Sequence, residues 1–128
     1  MDIATGADIL SIPRLERILK DEDKAFLDYI YSAAEQEAAL QRPIPMLYYA
    51  TRFAGKEAVV KALSRCDAEF RFHEIEILSD RNDAPFVRLS GGTGEAAAKH
   101  SLLDISISLS SDTDYAIAFV AAIYGEKT

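Results

Sequence analysis

Cysteine is nearly absent from this chain. Cys66 stands alone, so no intrachain disulfide can form, and a reducing cytoplasm is the expected setting. Tryptophan is missing altogether, and the two histidines, His73 and His100, lack the close spacing of a histidine-built metal centre. No apolar run approaches the roughly 20 residues of a membrane span. The opening Met1-Asp2-Ile3-Ala4-Thr5 has no basic region and no long apolar stretch, so no signal peptide is expected. Basic charge is also scarce: 14 Lys and Arg face 21 Asp and Glu, for a net charge of −7. That balance excludes a broad nucleic-acid surface.

What is present suits a single domain spanning residues 1–128. Apolar residues make up 49% of the chain, enough for one core at this length. Ile3 to Leu10 reads as a strand. Ser11-Ile12-Pro13 then opens a helix, with proline where its missing N–H costs nothing. Leu15, Ile18 and Leu19 fall on one side of that helix. Arg14, Arg17 and Lys20 fall on another, joined by Lys24 if the helix lasts that far. A second helix is expected near Ala25 to Tyr31. Ser32-Ala33-Ala34-Glu35 has capping-box spacing and starts a third, which Arg42-Pro43-Ile44-Pro45 ends. The longest helix runs from about Met46 to Arg65 and is apolar nearly all round, as a central helix is, except at Glu57 and Lys61.

The second half alternates with period two. His73 to Leu78 and Pro85 to Leu89 read as a hairpin around the turn-rich 79–84 segment. Ser90-Gly91-Gly92-Thr93-Gly94 reads as a loop before a short helix over Glu95 to His100; no lysine follows to make it a phosphate cradle. Strands over Asp104 to Ser110 and Tyr115 to Tyr124 close the chain. Ser106, Ser108 and Ser110 share one face, read as solvent-facing or as a subunit seam. The fold class is α+β, helices early and antiparallel hairpins late.

Two carboxylates interrupt apolar elements: Asp8 in the first strand and Glu57 in the central helix, with Lys61 one turn on. A Glu–Lys pair at that spacing is ordinarily a surface feature. In a helix this apolar, charges need partners. Two hard oxygen ligands with positions left for water and phosphate suit Mg²⁺, and an adjacent lysine suits a phosphate.

Gly6-Ala7-Asp8-Ile9-Leu10-Ser11-Ile12-Pro13-Arg14 resembles the G-x-D-I-x-x-I-x-R opening of the holo-acyl carrier protein synthases, the small class of phosphopantetheinyl transferases. Phe53 to Leu63 resembles their F-x-x-K-E-A-x-x-K-A-L helix. Phe26 to Glu35 is similar to F-L-x-x-I-F-T-x-x-E. Ile105-Ser106-Ile107-Ser108 and Asp114 to Val120 are similar to S-I-S-H and D-Y-A-I-A. The resemblance covers almost the whole chain in order. It implies the 4'-phosphopantetheinyl transferase fold and transfer of phosphopantetheine from coenzyme A to a serine of an apo-acyl carrier protein, with release of 3',5'-ADP. It further implies Mg²⁺ on Asp8 and Glu57, and catalytic roles for Glu57 and Lys61. Coenzyme A contacts fall to Arg52, Lys61, Asn82 and Pro85, the carrier contact to Arg14, Arg17, Lys20 and Lys24, and the assembly is a homotrimer.

The chain departs from the family pattern in three places. Leu109 stands where the family has histidine. Asp83-Ala84-Pro85 replaces a G-K-P turn. The segment leading to Asp114-Tyr115 is about two residues longer. Leu109 and Asp83 leave a second reading open: a catalytically weak homologue that binds a nucleotide or carrier protein without efficient transfer.

Overall fold

The structure, a computed structural model, describes residues 1–21 and 23–126. Its elements run β1 (Asp2–Ser11), α1 (Ile12–Asp21), α2 (Lys24–Ile30), α3 (Ala33–Leu40), α4 (Pro45–Ala62), β2 (Ile75–Ser79), β3 (Pro85–Leu89), α5 (Gly91–Lys99), β4 (Leu102–Ser111) and β5 (Tyr115–Tyr124). The α+β architecture expected from the pattern is present. All pairings are antiparallel: β1, β5 and β4 form one sheet in that order, and β2 and β3 form a separate hairpin.

The last strand is therefore the centre of the main sheet, and its alternation decides both faces. Ala116, Ala118, Val120, Ala122 and Tyr124 point inward and are buried, while Ile117 and Phe119 stay about half exposed. Helix α4 lies over the inner face. Ala50, Ala54, Ala58 and Ala62 recur every fourth residue and are fully buried, so a stripe of small side chains meets the small side chains of β5. Helix and sheet approach closely as a result. Closest of all is Gly6 on β1, where a Cβ would sink into the Ala58 carbonyl oxygen and lie 2.9 Å from the Ala62 nitrogen.

Local signals placed most boundaries. Ser32 accepts from the Glu35 amide at 3.2 Å and Glu35 reaches back to the Ser32 amide at 3.0 Å, so the capping box is complete. Four expectations shift. First, α1 stops at Asp21 and Asp23 caps a new helix through the Phe26 amide, so Lys24 begins α2 rather than extending α1. Second, Leu15 is buried but Ile18 is 42% exposed, so the buried side of α1 is narrower than the wheel implied. Third, Phe72–Glu74 forms a 3-10 turn and β2 begins only at Ile75. His73 is thus not on a strand face. Fourth, α5 starts inside the glycine run. Gly91, at φ 55, leaves room for the Glu74 carboxylate, which accepts from the Gly92 and Thr93 amides and the Thr93 hydroxyl. Those tertiary bonds satisfy orphan N–H groups that Ser90 does not cap.

Candidate functional site

Three charged side chains meet where β1 crosses α4. Gly6 brings the strand onto the helix backbone, and Asp8, two residues on and on the same face, comes alongside Glu57 and Lys61. Lys61 Nζ donates to the Ala7 carbonyl at 2.7 Å and sits 3.4 Å from Asp8 Oδ1. Glu57 is half-buried. Burial raises its carboxyl pKa, the neighbouring charge of Asp8 raises it further, and Lys61 pulls it back. Two carboxylates are thus held near enough to repel, which is the donor set of a hard cation. Among the described residues no group of three or more potential ligands forms. Asp8 and Glu57 could give a cation two protein ligands, which would leave its other positions for water or phosphate, as Mg²⁺ prefers.

The helix also carries a buried ion pair that the sequence reading passed over. Lys56 and Glu35 are fully buried. Lys56 Nζ donates to Glu35 Oε1 at 2.6 Å, to the Phe72 carbonyl at 2.8 Å and to the Ile75 carbonyl. Glu35 Oε2 in turn accepts from the Ile77 amide at 3.0 Å. The pair ties α3, α4 and β2 together on one face of α4, and the next residue, Glu57, turns towards β1. Burial lowers the Lys56 pKa and Glu35 raises it again. The available signal was Lys56 between Gly55 and Ala58 on a helix of small residues, where no solvent face remains for it.

A cleft of about 460 Å³ lies on the other side of α4. Arg52 and Pro85 line it, with Arg42, Asp83 and Leu109; Asn82, Lys61, Asp8 and Glu57 do not. Arg52 is 8% exposed and has no carboxylate partner among the described residues. Its guanidinium lies 4.0 Å from the Tyr48 ring centroid and bonds Ser79 Oγ, Thr51 Oγ1 and the Ile77 carbonyl. Burial lowers its pKa; Tyr48 opposes that and Arg42 adds to it. Asn82 sits exposed on the β2–β3 turn, its amide bonded to Asp80. Leu109 keeps the inward parity of Ile105 and Ile107 and packs against the core. Asp8, Ala118 and Leu109 form one row across the sheet. Two strand spacings put the first and last roughly 10 Å apart.

Arg14, Arg17 and Lys20 are exposed along α1 and take part in no ion pair among the described residues. Lys24, on α2, is held instead by Asp28 at 2.9 Å and Gln36 at 3.3 Å. The stripe therefore has three members on one helix and a fourth apart from them.

A model of the 4'-phosphopantetheinyl transferase superfamily matches residues 4–120. Holo-[acyl-carrier-protein] synthase of Protochlamydia amoebophila is 38% identical over 120 residues, covering 93% of this chain and 96% of its own. The Caldanaerobacter subterraneus protein of the same name is 31% identical over 128 residues, covering both chains fully. Among solved structures, the Chronobacterium ammoniagenes ACPS–CoA complex superposes with a TM-score of 0.85 at 27% identity, over 98% of this chain and 100% of that one. Helicobacter pylori holo-[acyl-carrier-protein] synthase in complex with coenzyme A gives 0.79 at 30% identity, over 93% and 99%.

Proposed function

The chain belongs to the 4'-phosphopantetheinyl transferase superfamily, and from that premise we propose that it transfers the 4'-phosphopantetheine arm of coenzyme A to a serine of an apo-acyl carrier protein in a magnesium-dependent reaction. The observation that carries the reading is the meeting of Asp8, Glu57 and Lys61 at one crossing of strand and helix. Asp8 and Glu57 would hold Mg²⁺, which supplies charge neutralisation at the pyrophosphate of coenzyme A. Lys61 adds a positive charge beside the phosphoryl group as 3',5'-ADP departs. The two carboxylates give the attacking hydroxyl's proton an acceptor nearby. Incubation with apo-carrier, coenzyme A and Mg²⁺, followed by weighing the carrier, tests the reading. A carrier of unchanged mass would sink it in favour of a binding-only homologue.

Residues 1–128 act as one transferase domain in this reading, and the assembly is a homotrimer with sites between subunits. Two observations support that. The carboxylate cluster and the arginine cleft lie on opposite sides of α4, so a neighbour is needed to bring a complete set to one donor. The outer face of the main sheet leaves Ile3 at 70%, Ile9 at 63% and Phe119 at 50% exposed beside a row of small serines, an apolar surface that another subunit covers. Light scattering at micromolar concentration is expected to give three times the chain mass; a monomer would refute the arrangement. Among the described residues no helix is long and apolar enough to cross a membrane. A buried free thiol at Cys66 suits the cytoplasm.

The carrier, an acidic protein, docks on α1 in this reading. Arg14, Arg17 and Lys20 are exposed there with no ion pair among the described residues, Ile18 is exposed among them, and Lys24 flanks them from α2 while partly neutralised by Asp28. Such a stripe steers an acidic partner and weakens with salt. Reversing charge at Arg14 and Arg17 is expected to raise the carrier KM far more than the coenzyme A KM; equal effects would assign the stripe to solvent.

Leu109 does not remove the activity. About 10 Å of sheet separates it from Asp8 in the same subunit, so a histidine there serves the cleft rather than the carboxylates of its own chain. The leucine forfeits a single polar contact, about 0.5–1.5 kcal/mol. Leu109→His is therefore expected to improve coenzyme A kinetics by less than about tenfold. A parent without detectable transfer, rescued strongly by that change, would make histidine an obligatory base.

A further inference from the structure

The cleft contains an anion of its own. Asp83 sits on the β2–β3 turn at φ 60 and takes Arg42 from two sides, Nη2 to Oδ1 at 2.8 Å and Nη1 to Oδ2 at 3.3 Å. Arg42 and Arg52 then converge. Both donate to Ser79 Oγ, at 3.0 and 2.9 Å, and both guanidiniums lie over the Tyr48 ring, at 5.4 and 4.0 Å. Two positive charges share one hydroxyl and one ring, yet among the described residues only one carboxylate answers them, and it answers the outer one. Arg52, the inner, is more than nine-tenths buried with neutral acceptors alone.

An arrangement of this kind is one negative group short. Two planar guanidiniums around one point suit a phosphomonoester dianion, which offers three acceptor oxygens and twice the charge of a carboxylate. The Asp83 side chain is 69% exposed and that of Arg42 31% exposed, so their pair is held weakly and is displaceable by a stronger anion.

We propose that Asp83 is a built-in competitor at a phosphomonoester subsite formed by Arg42 and Arg52: it holds Arg42 in place at the cleft and yields it to the 3'-phosphate of the donor nucleotide, lowering affinity for that group. The proposal rests on the reading that the cleft receives the nucleotide half of coenzyme A. The pyrophosphate belongs with Lys61 and the carboxylates that a neighbouring subunit brings to the cleft in that reading, which leaves the 3'-phosphate as the phosphate the arginines meet. Asp83 then selects for donors whose phosphate carries enough charge to displace it.

Titration calorimetry with coenzyme A and with 3'-dephospho-coenzyme A tests this on the full chain. Asp83→Asn removes the charge while keeping a residue that tolerates positive φ, and Asp83→Gly does the same by a different route. Both are expected to bind coenzyme A about two- to fivefold more tightly than the parent, the size of one exposed ion pair. Neither is expected to change 3'-dephospho-coenzyme A, and Arg42→Gln is expected to abolish the gain when combined with either. Equal gains for both donors, or a gain that survives Arg42→Gln, would reduce Asp83 to a general repulsive charge and overturn the proposal. Weaker binding in the Asp83 variants would overturn it too, by making the ion pair a required positioning contact. A parent that binds coenzyme A but is unaffected by Asp83 removes this inference alone. A parent that binds no coenzyme A removes the cleft reading and this inference with it.

Discussion

Replacing Asp8 or Glu57 by alanine is expected to lower phosphopantetheine transfer by at least ~10²-fold while the protein stays folded. In the proposed reaction each side chain would be one of two protein ligands to Mg²⁺, and the several kcal/mol such a charge would supply at a phosphoryl centre convert to that factor or more. Folding is spared for a reason visible at the site. The two carboxylates repel, and Glu57 is further penalised by its burial. Neither change removes a core contact, and the Asp8–Lys61 pair is part-exposed, so the melting temperature is expected to hold within a few degrees. Lys61 keeps its bond to the Ala7 carbonyl in both variants. Carrier mass against time, alongside a thermal melt, reads both halves of this result. Excess EDTA is expected to silence the parent in the same assay. Full turnover in either variant or in the chelator would remove the metal from Asp8 and Glu57.

The largest loss of stability is expected from the adjacent residue. Lys56→Met keeps the length of the side chain and leaves the Glu35 carboxylate buried without its cation. Breaking one half of a buried pair costs roughly 3–5 kcal/mol. Here the Phe72 and Ile75 carbonyls lose their donor as well. In a chain of this size that is a fall of about 10–20 °C in Tm, compared at fixed protein concentration because assembly contributes to stability. Glu35→Gln combined with Lys56→Met is expected to recover part of the loss, since no uncompensated charge remains, but not all of it. The Phe72 and Ile75 carbonyls lose the ammonium, and glutamine has a single acceptor oxygen, so one of the Ser32 and Ile77 amides is left without its partner. A Lys56→Met protein melting within a few degrees of the parent would show that the pair holds nothing in place. Activity in the surviving folded fraction tests whether the pair, one residue from Glu57, also matters to catalysis.

Lys56 and Glu35 also mark where sequence reasoning ran short. Glu35 was legible as half of a capping box, and that bond is present. Its second bond, to Lys56, joins residues 21 apart, and no local pattern encodes it. Lys24 fails in the opposite direction. Helical spacing places it with Arg14, Arg17 and Lys20, but Asp23 caps a new helix and breaks the phase. The glycine-rich 91–94 segment carries low helix propensity and became a helix start because Glu74, distant in sequence, supplies the cap.

What the amino-acid order alone determined is the set of features that depend on neighbours a few residues apart. These are the period-two alternation of β4 and β5, the proline-delimited start of α4, the capping box, and the presence of Asp8, Glu57 and Lys61 in motifs that resemble a known family. Backbone sterics and side-chain periodicity act over that range, so short windows carry them. What only the tertiary structure decided is which of those residues meet. Asp8 and Lys61 stand 53 residues apart and touch because Gly6 lets β1 close onto the backbone of α4. The first strand reaches Leu109 only through the last, in the row Asp8–Ala118–Leu109. Arg42 finds Asp83 only once the hairpin folds back over the start of α4. Contacts of this kind follow from the packing of whole elements, where small residues permit close approach and buried charges demand partners, and no window of sequence contains both sides of them.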